Sequence, residues 1–495
     1  GDSAMPYQDL RQFLARLEAT DYLRRIRKEV DWNLELGHIA KINEEEHGGG
    51  KALLFENVKD YPGWRVLTSA LTARERLALA LELPTHMSLM NLSREWVDRI
   101  QGKRASPRWV DAGPCQENLI GEADVNLNNL PAPWFYPEDG GRYLGTAGFL
   151  ISRNLDTGRV NLGTYRLMIV DDKRASIMII KAKDAEIDLR GYAARKMPMP
   201  IAYVSGVDPV IFLCSSTLFG LTESEYDVAG ALRGEPCEVV KARLSDLPVP
   251  ATAELVIEGE IMPGQTLREG PFGEYTGHYS GKKDEAREFV QVKGLTYRND
   301  PILWATTVGK PITDTHMIMA VNRTASLWND LKAMNIPGIK AVYGPPAGAG
   351  RMLVIIAMKP MYHGHSTQVG LAAFATVTGN YGLKTVIVVD DDIDPENMDH
   401  VIYALSFKFQ PDFGTQIIKR GRSTPLDPSL PIGDARFMTS RIILDCTTPY
   451  EWKEKPHQIF LDEKMVQHVK EHWNEYFGEE AAATLPQRVG ELAHA

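Results

Sequence analysis

No feature constrains this chain more than the succession of short β-rich runs between residues ~115 and ~310. They are Gly148–Arg153, Tyr165–Asp171, Ser176–Lys181, Ile201–Gly206, Val210–Cys214, Glu254–Ile261, Phe289–Tyr297 and Ile302–Thr307. Turn residues separate them, and Glu254–Ile261 alternates apolar with polar positions, the period of a half-buried strand. A single helical stretch, Tyr226–Leu232, interrupts the series. Regular short strands of this kind predict a β-barrel-like domain.

The flanking regions are written differently. Asp9–Arg24 places Leu10, Phe13, Leu14 and Leu17 at helical spacing, and Leu67–Leu83 reads as a second helix ended by Pro84. Beyond residue 310, Ala325–Met334 carries Leu327, Trp328 and Leu331 on one helical face. Strand and helix then alternate through Arg351–Ala357, Gln368–Thr378, Thr385–Val389 and Pro395–Ser406, a βαβ pattern that predicts a small α/β domain. Glu463–Tyr476 is a further helix with Val466, Val469 and Trp473 on one face, suited to packing on a neighbour or on its own domain. There is no internal repeat, low-complexity tract or long linker.

Composition narrows the class. At roughly 100–200 residues per domain, 495 residues suggest two to four domains. Apolar residues make 44% and charged residues 24%, which excludes a disordered, collagen-like or coiled-coil chain. The longest apolar runs, such as Leu353–Met358, fall far short of the ~18 residues of a membrane span, so none is expected. Gly1–Met5 reads as a remnant ahead of a native start, with nothing resembling a signal peptide. The net charge, 55 − 65 = −10, argues against a nucleic-acid partner. Cys115, Cys214, Cys237 and Cys446 lie far apart without a CxxC pair, so a reducing cytoplasm is expected and a disulfide framework or zinc site is not.

Standard signatures are missing: there is no Walker A sequence and no GxSxG, and Gly348-Ala-Gly350 lacks the third glycine of a dinucleotide fingerprint. His363-Gly-His365 and the strand-end run Asp390-Asp391-Asp392 leave a metal hydrolase open, against a polar loop and a solvated strand end. Three other segments carry more chemistry. Glu269-Gly-Pro-Phe-Gly-Glu274 sets two carboxylates around a tight turn that can aim both into one pocket, against the plainer expectation of a hairpin with exposed glutamates. Close carboxylates push their pKa values apart, which lets one serve as an acid near neutral pH. Asn161-Leu-Gly-Thr-Tyr-Arg166 offers a neutral oxygen ligand and a bidentate grip on a carboxylate. Glu223-Ser-Glu225-Tyr226 opens a helix, where either glutamate can favour the dipole or close a hard-cation site with Asn161.

In this order these segments resemble the UbiD family of prenylated-flavin-dependent decarboxylases. The resemblance runs the length of the chain, through Tyr7–Glu18 (YQDLRQFLARLE), Ala52–Lys59 (ALLFENVK), Pro114–Asn118 (PCQEN) and Asn161–Arg166 (NLGTYR). It continues through Glu223–Gly234 (ESEYDVAGALRG), Val249–Gly259 (VPATAELVIEG), Glu269–Gly277 (EGPFGEYTG) and Val388–Asp394 (VVDDDID). It implies an α/β (α+β) fold: a mixed N-terminal region over 6–114, a split β-barrel that binds prenylated FMN over 115–310, a linking helix over 311–335, and a C-terminal α/β dimerisation domain with a terminal helix over 336–495. It makes Arg166, Glu269 and Glu274 the catalytic residues. It assigns cofactor contacts to Asn161, Thr164, Arg166, Lys183 and Glu223, and a divalent ion, Mn²⁺ or Mg²⁺, to Asn161, Asp184 and Glu223. K⁺ would lean on backbone carbonyls in Ser215–Phe219. One departure stands out. Where the family places a further metal-ligand histidine, this chain reads Ile180-Lys-Ala-Lys-Asp-Ala185; Asp184 aligns best, and a slip would bring Lys183 or Ala182. A lysine found near the cofactor in some members is matched by Thr378.

The activity so implied is a reversible, non-oxidative decarboxylation of an aromatic or heteroaromatic acid. Arg166 would pair with the substrate carboxylate and Glu269, and Glu274 would return a proton to the ring. His316 would lie in the substrate pocket and bond a ring hydroxyl, pointing to phenolic acids such as protocatechuate, vanillate or 4-hydroxybenzoate. Expected partners are the aryl acid, CO₂, a flavin prenyltransferase that supplies the cofactor, and further copies in a homodimer or homohexamer. The alternatives are a non-catalytic flavin-binding subunit of a larger carboxylase assembly, and a decarboxylase of a polyprenylated or CoA-activated aryl acid.

Overall fold

The computed structural model describes residues 6–478 apart from 47, 103, 181–182, 218, 220–222, 432–436 and 460. Its central sheet runs in the order Val160–Gly163, Gly148–Arg153, Met199–Ser205, Leu255–Ile261, Glu285–Tyr297, Arg174–Ile177, Leu167–Ile169, antiparallel throughout. The two outermost strands are neighbours in sequence: only Thr164, Tyr165 and Arg166 lie between them. Seven strands laid flat would hold those edges ~29 Å apart, at ~4.8 Å per spacing. The connecting residues reach at most ~14 Å. The sheet must therefore curl until its edges come within that reach without pairing, and Arg166 sits in this seam. Asn118–Gly121 and Thr266–Glu269 extend the barrel by pairing with opposite ends of Glu285–Tyr297.

Both faces of this sheet are buried, which is why its runs read as so strongly apolar. Leu150, Ile201, Tyr203, Leu255 and Ile257 join one core cluster, while Phe149, Ile151, Ala202, Val204 and Val256 join another. The period-2 alternation sends neighbouring side chains to opposite faces. The second cluster also takes in residues of Leu89–Ile100, Pro209–Ser215 and Glu225–Arg233, the helices outside the barrel.

Two expectations from the sequence fail here. Val210–Cys214 is not a strand but part of the helix Pro209–Ser215. Asp208 accepts a hydrogen bond from the Val210 N–H at 2.7 Å and Pro209 takes the first helical position, a start signal outweighed by the apolar run. Within Leu67–Leu83, the first residues belong to the strand Arg65–Thr68, paired antiparallel with Ala52–Phe55, and the helix begins only at Arg74. The barrel region also holds a helix not foreseen, Asp184–Ala194.

The long helix Asp314–Ala333 links the barrel to the C-terminal sheet. That sheet runs Ile339–Tyr343, Leu353–Met358, Thr385–Asp390, Met438–Cys446, Thr415–Arg422, with its three central strands parallel. The helix His365–Ala375 crosses between the first two of these, as the βαβ pattern predicts. Glu463–Glu471 and Trp473–Phe477 follow, broken at His472 and burying no residue. No helix among the described residues is long and apolar enough to cross a membrane.

Candidate active site

The Glu269–Glu274 turn does not expose its glutamates. Glu269 ends the strand Thr266–Glu269 with 0% exposure, and Glu274 follows Phe272–Gly273 with 6%. Phe272–Gly273 pairs with Tyr279–Ser280, and the Gly273 N–H donates to Asp139 at 2.8 Å. Burial pushes the Asp139 carboxyl up to about 6. Thus fixed, the turn brings both glutamates to Arg166 in the barrel seam.

Arg166 donates through Nε and Nη2 to the two oxygens of Glu269 at 2.8 and 2.9 Å. Its Nη1 donates to Glu274 Oε1 at 2.5 Å and to Ser280 Oγ at 2.8 Å. The Tyr143 hydroxyl donates to Glu269 Oε1 at 2.8 Å, and the guanidinium carbon lies 4.9 Å from the centre of the Phe272 ring. Burial alone would favour neutral arginine, but the two carboxylates outweigh it and hold the guanidinium charged. Burial and the Glu269 charge raise the Tyr143 phenol, so it remains a donor. These four hydrogen bonds hold the guanidinium in one plane before substrate arrives, the condition for electrostatic preorganisation.

This cluster borders a cavity of about 190 Å³. Thr164, Arg166, Lys183 and Glu274 line it from the barrel; Glu269 lies behind. Thr315, Ile318, Met319 and Arg323 line it from one face of the long helix, and Arg351 and Leu426 from the C-terminal domain. Burial, with Arg351 and Arg323 nearby, lowers the Lys183 ammonium to about 7. A larger groove of about 540 Å³ is more open; of its charged residues Arg25 pairs with Glu18 and Glu56, and Arg11 with the neighbouring Glu254.

Beside the seam, the strand Val160–Gly163 presents Asn161, buried, with no hydrogen-bond partner for its Nδ2. The Leu162 N–H donates to Glu225 Oε2 at 3.0 Å. Arg159 Nη2 reaches Asp184 Oδ2 at 3.3 Å and Glu225 Oε1 at 3.4 Å, so one guanidinium gathers both carboxylates. Burial, with Asp184 adding to it, raises the Glu225 carboxyl to about 7. The residue that shares this pocket is therefore Glu225, not Glu223. Glu223 accepts from Arg104 at 2.5 Å and is over a third exposed. The helix begins at Glu225 with Ser224 as its N-cap, which turns Glu225 inward. That helix start was the available signal. Asn161, Glu225 and Asp184 form an oxygen-only set that fits a hard divalent ion and, through it, a phosphate. Among the described residues no three His, Cys, Asp or Glu groups come together as a metal cluster.

The remaining candidates are placed as follows. His316 does not line the cavity. Its Nδ1 accepts from the Thr313 N–H at 3.1 Å and its Nε2 bonds the Tyr275 carbonyl at 2.6 Å, so both ring nitrogens are engaged in holding the helix start to the catalytic turn. This corrects its assignment to the substrate pocket. In Ser215–Phe219, residue 218 lies outside the described residues; the Ser216 carbonyl accepts from Asn322 at 3.3 Å, and Ser216 lines the cavity. Thr378 donates to Asp330 at 2.8 Å. Asp390 and Asp392 are paired with Lys408, and His363 packs against Tyr450, so the hydrolase candidates form no common site.

Profiles of three domains described as those of 3-octaprenyl-4-hydroxybenzoate carboxy-lyase match the chain: the N-terminal domain over residues 14–96, the Rift-related domain over 108–311 and the C-terminal domain over 316–446. A phenolic acid decarboxylase of Bacillus subtilis is 35% identical over 92% of this chain and 95% of its own length. Vanillic acid decarboxylase of Sedimentibacter hydroxybenzoicus, solved in open and closed forms, superposes with a TM-score of 0.85. The open form is 31% identical, covering 97% of this chain and 100% of that one. The UbiD-class enzyme HmfF of Pelotomaculum thermopropionicum, solved with FMN, gives 0.82 at 28% identity over 93% and 98% of the two chains; an evolved dimeric form has been solved with prenylated FMN. With matches over most of its length and a mixed α/β fold shared with these solved structures, the chain belongs to the UbiD family of carboxy-lyases.

Proposed function

We propose that this protein is a prenylated-FMN-dependent, reversible decarboxylase of an aromatic or heteroaromatic acid. One observation carries this: a buried arginine gripped by two glutamates, of which one reaches the cavity. Such an arrangement orients a carboxylate and places a proton donor beside it.

Loss of CO₂ from an arene carboxylate leaves a carbanion that amino-acid side chains cannot delocalise, and prenylated FMN when bound supplies the electron sink. Asn161, Glu225 and Asp184 would hold its phosphate through Mn²⁺ or Mg²⁺, with Lys183 and Thr164 as further contacts and K⁺ near Ser216. The unpartnered Asn161 amide and the inward Glu225 support that placement. Arg166 pairs with the departing carboxylate while Glu269 and Tyr143 fix its plane. Glu274, an acceptor from Arg166 at rest, takes up a proton from water and delivers it to the ring carbon from its position on the cavity wall. Phe272, Ile318, Met319 and Leu426 exclude water from the ring. A non-catalytic flavin-binding subunit would have no use for a fully assembled Arg166–Glu269–Glu274 cluster. Association into a homodimer or larger ring would use the apolar C-terminal surface.

The test is to purify the protein from cells with and without a flavin prenyltransferase and screen aryl acids, including 4-hydroxybenzoate, vanillate and protocatechuate. Turnover, or deuterium exchange into the product ring, is expected only with the prenyltransferase. Turnover by flavin-free protein would overturn the proposal.

A further inference from the structure

Two arginines in the cavity have no counter-charge. Arg323, on the inward face of the long helix, is 7% exposed, and neither its Nε nor its Nη1 has a hydrogen-bond partner. Arg351 stacks on Tyr381 at 4.3 Å and gives its Nε to the Tyr381 carbonyl at 3.3 Å. Among the described residues neither forms a salt bridge. Their neighbours differ: Arg166 is bound by Glu269 and Glu274, and Arg159 by Asp184 and Glu225. Packing puts the two together. Gly350 lies against the long helix, where a Cβ would stand 2.5 Å from the Met319 carbonyl, so Arg351 enters the cavity beside the turns that carry Met319 and Arg323.

A buried guanidinium without a partner is costly, and a site that keeps one is built for an anion that arrives with the ligand. The planar fork of arginine matches the two oxygens of a carboxylate, whereas a phenolic hydroxyl offers neither two acceptor oxygens nor a balancing charge. We propose that Arg323 and Arg351 form a second anion subsite, which holds a ring carboxylate other than the one that leaves. On the decarboxylase reading above, on which this rests, the substrate is an aromatic dicarboxylate. One carboxylate departs as CO₂ and its ring carbon takes a proton; the other stays bound to the arginine pair. The same oxyanion chemistry could come from the flavin phosphate, and the experiment separates the two sources.

Benzoate, benzene-1,3-dicarboxylate and benzene-1,4-dicarboxylate are titrated calorimetrically into the flavin-loaded protein and its Arg323→Met, Arg323→Lys and Arg351→Met variants. At least one dicarboxylate should bind roughly 10–100-fold more tightly than benzoate, the worth of one or two charge-assisted hydrogen bonds. Both methionine variants should erase that preference, with Arg323→Lys restoring part of it. The ratio of kcat/KM for dicarboxylate over monocarboxylate should fall by a similar factor. Equal binding of mono- and dicarboxylates by the wild type, or an unchanged preference in the methionine variants, overturns the proposal. So does a selective loss of FMN affinity over riboflavin in those variants, which assigns the arginines to the phosphate. Because binding is read without turnover, an inactive protein that still prefers the dicarboxylate counts against the decarboxylase and leaves the subsite standing.

Discussion

Glu269 and Glu274 both grip Arg166, yet their geometry separates their work. Glu269 gives both oxygens to the guanidinium edge, accepts Tyr143 as well, and lies behind the cavity wall. Glu274 gives Arg166 a single oxygen and forms part of that wall. Of the two glutamates Glu274 alone borders the cavity, which is why the proposed proton transfer is assigned to it. Glu274→Gln keeps its shape and removes that proton, so turnover should fall by ~10²–10⁴. FMN affinity should stay as in the wild type, because the phosphate site proposed above lies at Asn161 and Glu225, away from Glu274. Single-turnover kinetics beside an FMN fluorescence titration would measure both. Much of this cluster was legible in advance: two glutamates flanking a Gly-Pro-Phe-Gly turn and an arginine ending NLGTYR carry their chemistry in the sequence. Glu225 was only half legible, because which of two glutamates turns inward depends on where a helix begins. Arg323 was not legible at all, since its significance lies in the partner it lacks, and only packing reveals that.

At the scale of elements, the long helix is tied to the catalytic turn through one imidazole. Burial drives the His316 pKa from 6.5 to about 4, although the bond to the Tyr275 carbonyl works the other way. The unfolded chain protonates this histidine near 6.5, so between pH 6.5 and 4 the unfolded state binds more protons than the folded one. Stability from this group is therefore full above about 6.5 and is lost as pH falls through that window, by roughly 3 kcal/mol in all. Urea unfolding at intervals from pH 7 to 4 should show a shallower fall for His316→Gln than for the wild type. The sequence showed the spacing of a helix here but began it late, at Ala325. The first half, Asp314–Thr324, is buried all round, so it lacks the apolar–polar contrast by which a helix face is recognised. The barrel strands gave the opposite case. Where both faces are buried, as in Phe149–Ile151 and Ile201–Val204, the run is apolar without a break, and so was Val210–Cys214, which length and composition alone could not tell from a strand.

At the scale of the whole molecule, the C-terminal domain exposes Val377, Ile402, Phe407, Phe413 and Ile417. Tyr403 and Phe407 pack against each other within the same surface, their rings tilted by 41° with centres 5.4 Å apart. These exposed apolar side chains are the basis for proposing association through this face. Sedimentation velocity should find the wild type associated and Phe407→Asp shifted toward monomer, while a monomeric wild type would contradict association through this face. The barrel has a consequence of another kind. Its two edges are joined by three residues, and the last of them is Arg166. The link is too short to carry slack, and it ends on the side chain proposed to meet the substrate carboxylate: the same three residues that bridge the two edges of the β-layer also fix where the guanidinium enters the cavity.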